Sequence, residues 1–175
     1  AKKRPFTVVF LDIYMNGANG IEIARYFPVH DKIISILKEN NKSMSSKKDS
    51  EMTIVLITKQ GFAKRVLLTE FEKISDYKMA IKLNDGDELV ATDYALANSK
   101  NDIIICTNVG NGVRIKLNEI KLLGKNAKGL TQIDLKPEEY VVSASRIKPK
   151  EKYLLYVTTT GKLKLTELKY FPPMK

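Results

Sequence analysis

Residues 54–71 read IVLITKQGFAKRVLLTEF, and residues 103–120 read IIICTNVGNGVRIKLNEI. The two stretches align without a gap at an offset of 49 residues: Thr58 meets Thr107, Gly61 meets Gly110, Arg65 meets Arg114 and Glu70 meets Glu119. Each opens on a short apolar run rich in isoleucine, a length and composition that suit a strand better than a helix. A glycine follows, able to take the positive φ of a tight connection. Val113, Arg114, Ile115, Lys116 and Leu117 then alternate apolar with basic, the mark of a strand with one face on a core and one in solvent. The pattern predicts strand, turn, strand, with Arg114 and Lys116 on the wet face. Gly161–Leu165 (GKLKL) repeats it, with Lys162 and Lys164 exposed.

Outward from this pair, four apolar runs recur: Phe6–Leu11, Thr53–Ile57, Asp102–Cys106 and Lys152–Val157, with starts spaced by 47, 49 and 50 residues. Such a period marks a repeat architecture. The expected units are residues 6–50, 53–98, 102–148 and 152–175 of a single domain spanning 1–175, the first unit being the most divergent. A second hairpin is expected in each unit, from Ala80–Leu83 and Glu88–Thr92 around Asn84–Asp87, and from Gly129–Leu135 and Tyr140–Ser145 around Pro137. Four strands per unit is the count of a propeller blade. The fold class is therefore all-β, a propeller-like ring or partial spiral of about four blades. Val29–Asn40 suits a short helix or a strand, and Asn41–Ser50 reads as a loop.

The 175 residues carry 30 Lys and Arg against 20 Asp and Glu, a formal net charge of +10. That surplus favours a polyanionic partner, nucleic acid first. An acidic protein met by a basic propeller-like interaction module is the alternative. Cys106 is alone, so no disulfide forms within the chain, and its apolar run makes it a small buried hydrophobe. No apolar run reaches the roughly 20 residues of a membrane span, and Ala1–Pro5 has no signal-peptide character. The one histidine, His30, has no nucleophile beside it, and the ligand clusters of a metal site are missing. The chain reads as non-catalytic and without a cofactor.

Lys64, Arg65, Arg114, Lys116, Lys162 and Lys164 follow the turn glycine in three different units. If the units radiate from one axis, these residues form a track along one edge, matched to the phosphates of a duplex. An ordinary solvated face is the plain alternative. The stretch Leu122–Gly129, LLGKNAKG, adds Lys125 and Lys128 on a turn-rich loop suited to phosphate contact, or to simple connection. It lacks the order of a nucleotide-binding loop. Base-reading motifs are missing. Most Tyr and Phe lie in apolar runs and read as core, which disfavours a single-strand binder.

These ordered motifs, together with KLNDGDELVAT and LLGKNAKGLTQIDLKPEEYVV, resemble the C-terminal domain of the A subunit of bacterial type IIA topoisomerases, gyrase or topoisomerase IV. The resemblance is good over Thr53–Ser145, weaker over Lys152–Tyr170 and faint over Phe6–Phe27. It implies a β-pinwheel, a propeller-like fold with strands exchanged between neighbouring blades. It also implies a non-catalytic module that binds and bends double-stranded DNA around its basic edge and presents a segment to the catalytic core. The partners it implies are the ATPase B subunit of the enzyme and the rest of the A subunit. The setting it implies is bacterial, cytoplasmic and nucleoid-associated, with no membrane. By similarity Arg65 and Arg114 are blade-edge contacts, and Lys125 and Lys128 lie in the interblade loop. No stretch matches the seven-residue box of gyrase A subunits, close to Gln-Arg-Arg-Gly-Gly-Lys-Gly, and four units is fewer than the family's usual five or six. Both departures lean toward a topoisomerase IV-like subunit with an open or reduced ring, or toward a fragment of gyrase missing its box, the first being favoured.

Overall fold

The computed structural model of the protein describes residues 51–71 and 79–174. The expectations for the first unit, 6–50, including Phe6–Leu11, Val29–Asn40 and His30, lie outside the described residues. Nine strands are found among the described residues. The hairpin β1 (Met52–Thr58) and β2 (Phe62–Leu67) turns at Gly61, whose φ of +83° lies in the region that favours glycine. The hairpin β4 (Asp102–Thr107) and β5 (Gly112–Lys116) repeats that turn at Gly110, and β8 (Tyr153–Val157) and β9 (Leu163–Glu167) repeat it at Gly161. In each turn the glycine N–H donates to the threonine carbonyl three residues earlier, Thr58, Thr107 or Thr158. Each second strand runs into a 3-10 turn, at Leu68–Phe71, Leu117–Glu119 and Leu168–Tyr170.

Three antiparallel sheets result. The first has the order β3-β1-β2-β6, with β3 at Leu89–Leu96 and β6 at Leu130–Thr131. The second is β5-β4-β7, with β7 at Val141–Ile147, and the third is the bare hairpin β8-β9. Among the described residues the sheets do not close into a ring.

The second hairpins expected from sequence do not form. Residues 80–83 carry no strand. The stretch 129–135 shortens to β6, which pairs with β2 of the preceding sheet, Phe62 to Thr131 and Ala63 to Leu130, and not with β7. The free edge of β2 offers unpaired main-chain groups that a passing strand can satisfy. Gly129 permits the approach: its φ is +95°, and a Cβ there would stand 2.8 Å from the Ala63 carbonyl oxygen. The Asn84–Asp87 turn does form, but it serves the first hairpin's turn: Asp87 Oδ1 accepts from Gln60 N at 2.9 Å and Glu88 N at 2.9 Å.

The core lies between sheets. Val55, Ile57, Ala63 and Ala95 of the first sheet pack against Ile103, Ile105, Val113, Ile115 and Val141 of the second, with Leu117 and Ile120 beside them. The opposite face of the second sheet, through Ile104 and Ile147, packs against Leu154, Leu168 and Phe171 of the third. Each fully buried side chain of this size contributes about 1.5–3 kcal/mol. Among the described residues the third hairpin is covered on one side only. On its other side Tyr153, Leu155, Val157, Leu163 and Leu165 are 54–67% exposed. Of the aromatics, Phe71 and Phe171 pack against core clusters, whereas Tyr140, Tyr153 and Tyr170 depart from the expected core role and are exposed.

Candidate nucleic-acid interface

The alternation expected of β5 is present, but its Arg114 face, expected to be wet, packs on the third sheet, and in β2 both faces are covered. Val55 pairs with Arg65 and Ile104 with Arg114, and paired residues share a face. Those are the faces that pack on the next sheet. Arg65 is accordingly buried. Its Nε donates to Ile120 O at 2.8 Å, and its Nη1 donates to Ala97 O at 2.6 Å. Burial pushes its guanidinium below the ordinary arginine value. Arg114 is half-buried: its Nε donates to Asp102 Oδ2 at 2.7 Å, and its Nη1 to Phe171 O at 3.1 Å. Lys64, on the opposite face of β2, is 0% exposed, and its ammonium donates to Gly124 O and Lys125 O, both at 2.8 Å. Burial lowers its pKa, with the Glu70 carboxylate offsetting part of that. These three cations are bound to carbonyls and a carboxylate of the same molecule. That corrects the expected solvent-facing track.

The remaining expected residues lie differently. Lys116, Lys128, Lys162 and Lys164 are exposed, and Lys125 is half-buried. None of the five has a carboxylate within ion-pair distance; the ion pairs among the described residues are Lys59–Glu88, Arg114–Asp102, Arg146–Asp93 and Lys169–Glu167. Lys164 pairs in register with Tyr156, whereas Arg65 and Arg114 stand where Leu165 does, so the arginines and Lys164 occupy opposite faces of their hairpins.

The loop that carries Lys125 and Lys128 is fixed to the first sheet. Arg65 N donates to Lys121 O at 2.9 Å, and Leu123 N donates to Arg65 O at 2.8 Å. Glu70 Oε2 accepts from Lys125 N at 3.0 Å. Lys82 N donates to Ala127 O at 3.2 Å, which brings an exposed lysine from the preceding stretch against this loop. Lys82 and exposed Lys121 escape a reading based on strand alternation because neither lies on a strand. Their signal is proximity to the turn-rich loop. Among the described residues no group of three or more His, Cys, Asp and Glu is placed to hold a metal, and no helix is long and apolar enough to cross a membrane.

Comparison with known proteins agrees with this architecture. The family described as DNA gyrase C-terminal domain, beta-propeller, matches residues 53–93 and 101–148. The A subunit of DNA gyrase from Ureaplasma parvum serovar 3 is 30% identical over 154 residues, covering 86% of this chain and 17% of that protein. The A subunit of DNA topoisomerase 4 from Bacillus subtilis is 28% identical over 125 residues, 70% of this chain and 15% of that protein. Among solved structures, a C-terminal domain of DNA topoisomerase IV superposes with a TM-score of 0.72 at 24% identity, covering 87% of this chain and 46% of that one. A DNA gyrase A C-terminal domain gives 0.73 at 20% identity, covering 92% and 50%. The chain thus spans about half of the solved domains and 17% or less of these two curated relatives. With its all-β sheets and half of its length within the family's match, the chain belongs to the C-terminal domain family of the DNA gyrase and topoisomerase IV A subunits, a family of propeller-like domains.

Proposed function

We propose that this chain is a duplex DNA-binding and bending module of a type IIA topoisomerase A subunit, and that it presents a DNA segment to the catalytic core. Its partners in this reading are double-stranded DNA, the ATPase B subunit of the enzyme and the rest of the A subunit, in a bacterial cytoplasm. Its four units form one β-pinwheel domain with an open or reduced ring. The observation that carries the reading is the set of exposed lysines that have no acidic partner among the described residues, Lys116, Lys128, Lys162 and Lys164, joined by Lys125. Lys82 and Lys121 extend the set around the loop. Unpaired ammonium groups on a chain of net charge +10 suit phosphate oxygens. The catalytic chemistry belongs, in this reading, to other parts of the parent protein.

The test is binding to a duplex of roughly 40 base pairs between about 50 and 300 mM salt, because each neutralised phosphate adds about 0.9 to the log–log slope. A steep fall is expected, and Lys116, Lys128, Lys162 and Lys164 all changed to Gln should flatten it. A flat wild-type response removes the reading. The basic protein-interaction module is the second reading, favoured by the exposed apolar face of β8-β9. It expects heparin to compete as well as duplex DNA does.

A further inference from the structure

Arg65 and Arg114 make the same kind of contact at two successive sheet junctions. Each guanidinium has one anchor in its own sheet's neighbourhood: Ala97 O, just past β3, for Arg65, and the Asp102 carboxylate for Arg114. Each has a second anchor in the next hairpin's 3-10 turn, on the carbonyl of the residue that follows or closes it: Ile120 O for Arg65 and Phe171 O for Arg114. The main chain of the next unit crosses at the same residue both times. Leu123 N donates to Arg65 O at 2.8 Å, and Met174 N donates to Arg114 O at 2.8 Å. A planar guanidinium with donors in fixed directions holds two acceptors at a set separation and angle, which a flexible ammonium does not. The third hairpin has Leu165 at this register position, so among the described residues the staple occurs at these two junctions.

We propose that Arg65 and Arg114 are positioning residues that fix the angle between successive sheets, and thereby the curvature along which the edge lysines meet DNA. They act on the duplex through the lysines and touch no phosphate. This rests on the DNA-binding reading above. Bending a duplex has an elastic cost, so a protein whose curvature is no longer held bends it less.

The experiment compares wild type with Arg65→Lys and Arg114→Lys, in the chain as it stands. Bend is read by energy transfer between the ends of a roughly 40-base-pair duplex at saturating protein, and phosphate contacts by the salt slope. Arg-to-Lys keeps the charge, so the slope should stay within about half a unit while the bend decreases. Asp102→Asn loosens Arg114's own anchor without removing the arginine and should also reduce the bend; it replaces Arg114→Lys if that variant loses its strand signal in circular dichroism. The proposal is overturned if these variants bend DNA as wild type does. It is also overturned if Arg114→Gln lowers the slope by about one, as loss of a direct phosphate contact would. Should wild type bind no duplex, the functional reading fails, and the staple is read separately. Spin labels at exposed Asn118 and Thr159, in a Cys106→Ser background, should then show a broader distance distribution in Arg114→Lys, and an unchanged one refutes the staple.

Discussion

Lys64 shows how far a single side chain can stand from its apparent role. An ammonium taken out of water costs several kcal/mol unless it is well hydrogen-bonded, and here two adjacent carbonyls receive it. Lys64→Met leaves both carbonyls without that donor and should lower stability by about 1–3 kcal/mol, read from the denaturant midpoint. Because burial depresses its pKa, the folded state holds the Lys64 proton less tightly than the unfolded chain. Its share of stability is therefore complete above the ordinary lysine value and is lost as pH falls through the depressed one. Glu139 has the corresponding effect at acid pH. Hydrogen bonds from Thr107 Oγ1 at 2.7 Å, Asn111 Nδ2 at 2.9 Å and Lys136 N at 3.2 Å hold its carboxyl below the usual range. The stability it contributes is present above the ordinary glutamate pKa and is lost as pH falls through the lowered value. Glu139→Gln should flatten the fall in melting temperature between about pH 5 and pH 2.

At the scale of elements, Gly129 decides whether β6 reaches β2. Gly129→Ala meets a backbone oxygen and a positive φ together, and strain of this kind costs about 1–3 kcal/mol. The midpoint in urea should fall accordingly, with Ala127→Gly, three residues before β6 starts, as a milder comparison. The hairpins, their turn glycines and their periodicity were all legible in the sequence, because short-range spacing and positive-φ turns are local properties. The exchange of β6 was not, because the pairing of 129–131 depends on which strand edge stands open in space. The same limit explains the arginines. Val113, Arg114, Ile115 and Lys116 do alternate between faces as expected, but an apolar–basic alternation cannot say whether the basic face meets water or a neighbouring sheet. Lys116, at the strand end, does reach solvent.

For the whole molecule, the proposed function has stability and partner recognition draw on different cations. Of those on the inside, Arg65 and Arg114 join one sheet to the next and Lys64 ties the 122–129 loop to the first sheet, and those on the outside, such as Lys116 and Lys128, are exposed. Arg65→Gln should therefore lower the melting temperature, while Lys128→Gln should leave it within about 0.5 kcal/mol of wild-type stability and weaken DNA binding. Differential scanning calorimetry alongside binding at one salt concentration separates the two sets. The sheets are also unequal in support. Both edges of β1 and of β4 are paired, whereas among the described residues β8 has a partner on one edge only. Opening free energies within one protein run from near zero up to the global value. The amide protons of Tyr153–Val157 should accordingly exchange with deuterium ahead of those of Ile54–Ile57 and Ile103–Cys106, so that, among the described residues, fraying starts at the two-stranded sheet while the wider ones still resist solvent.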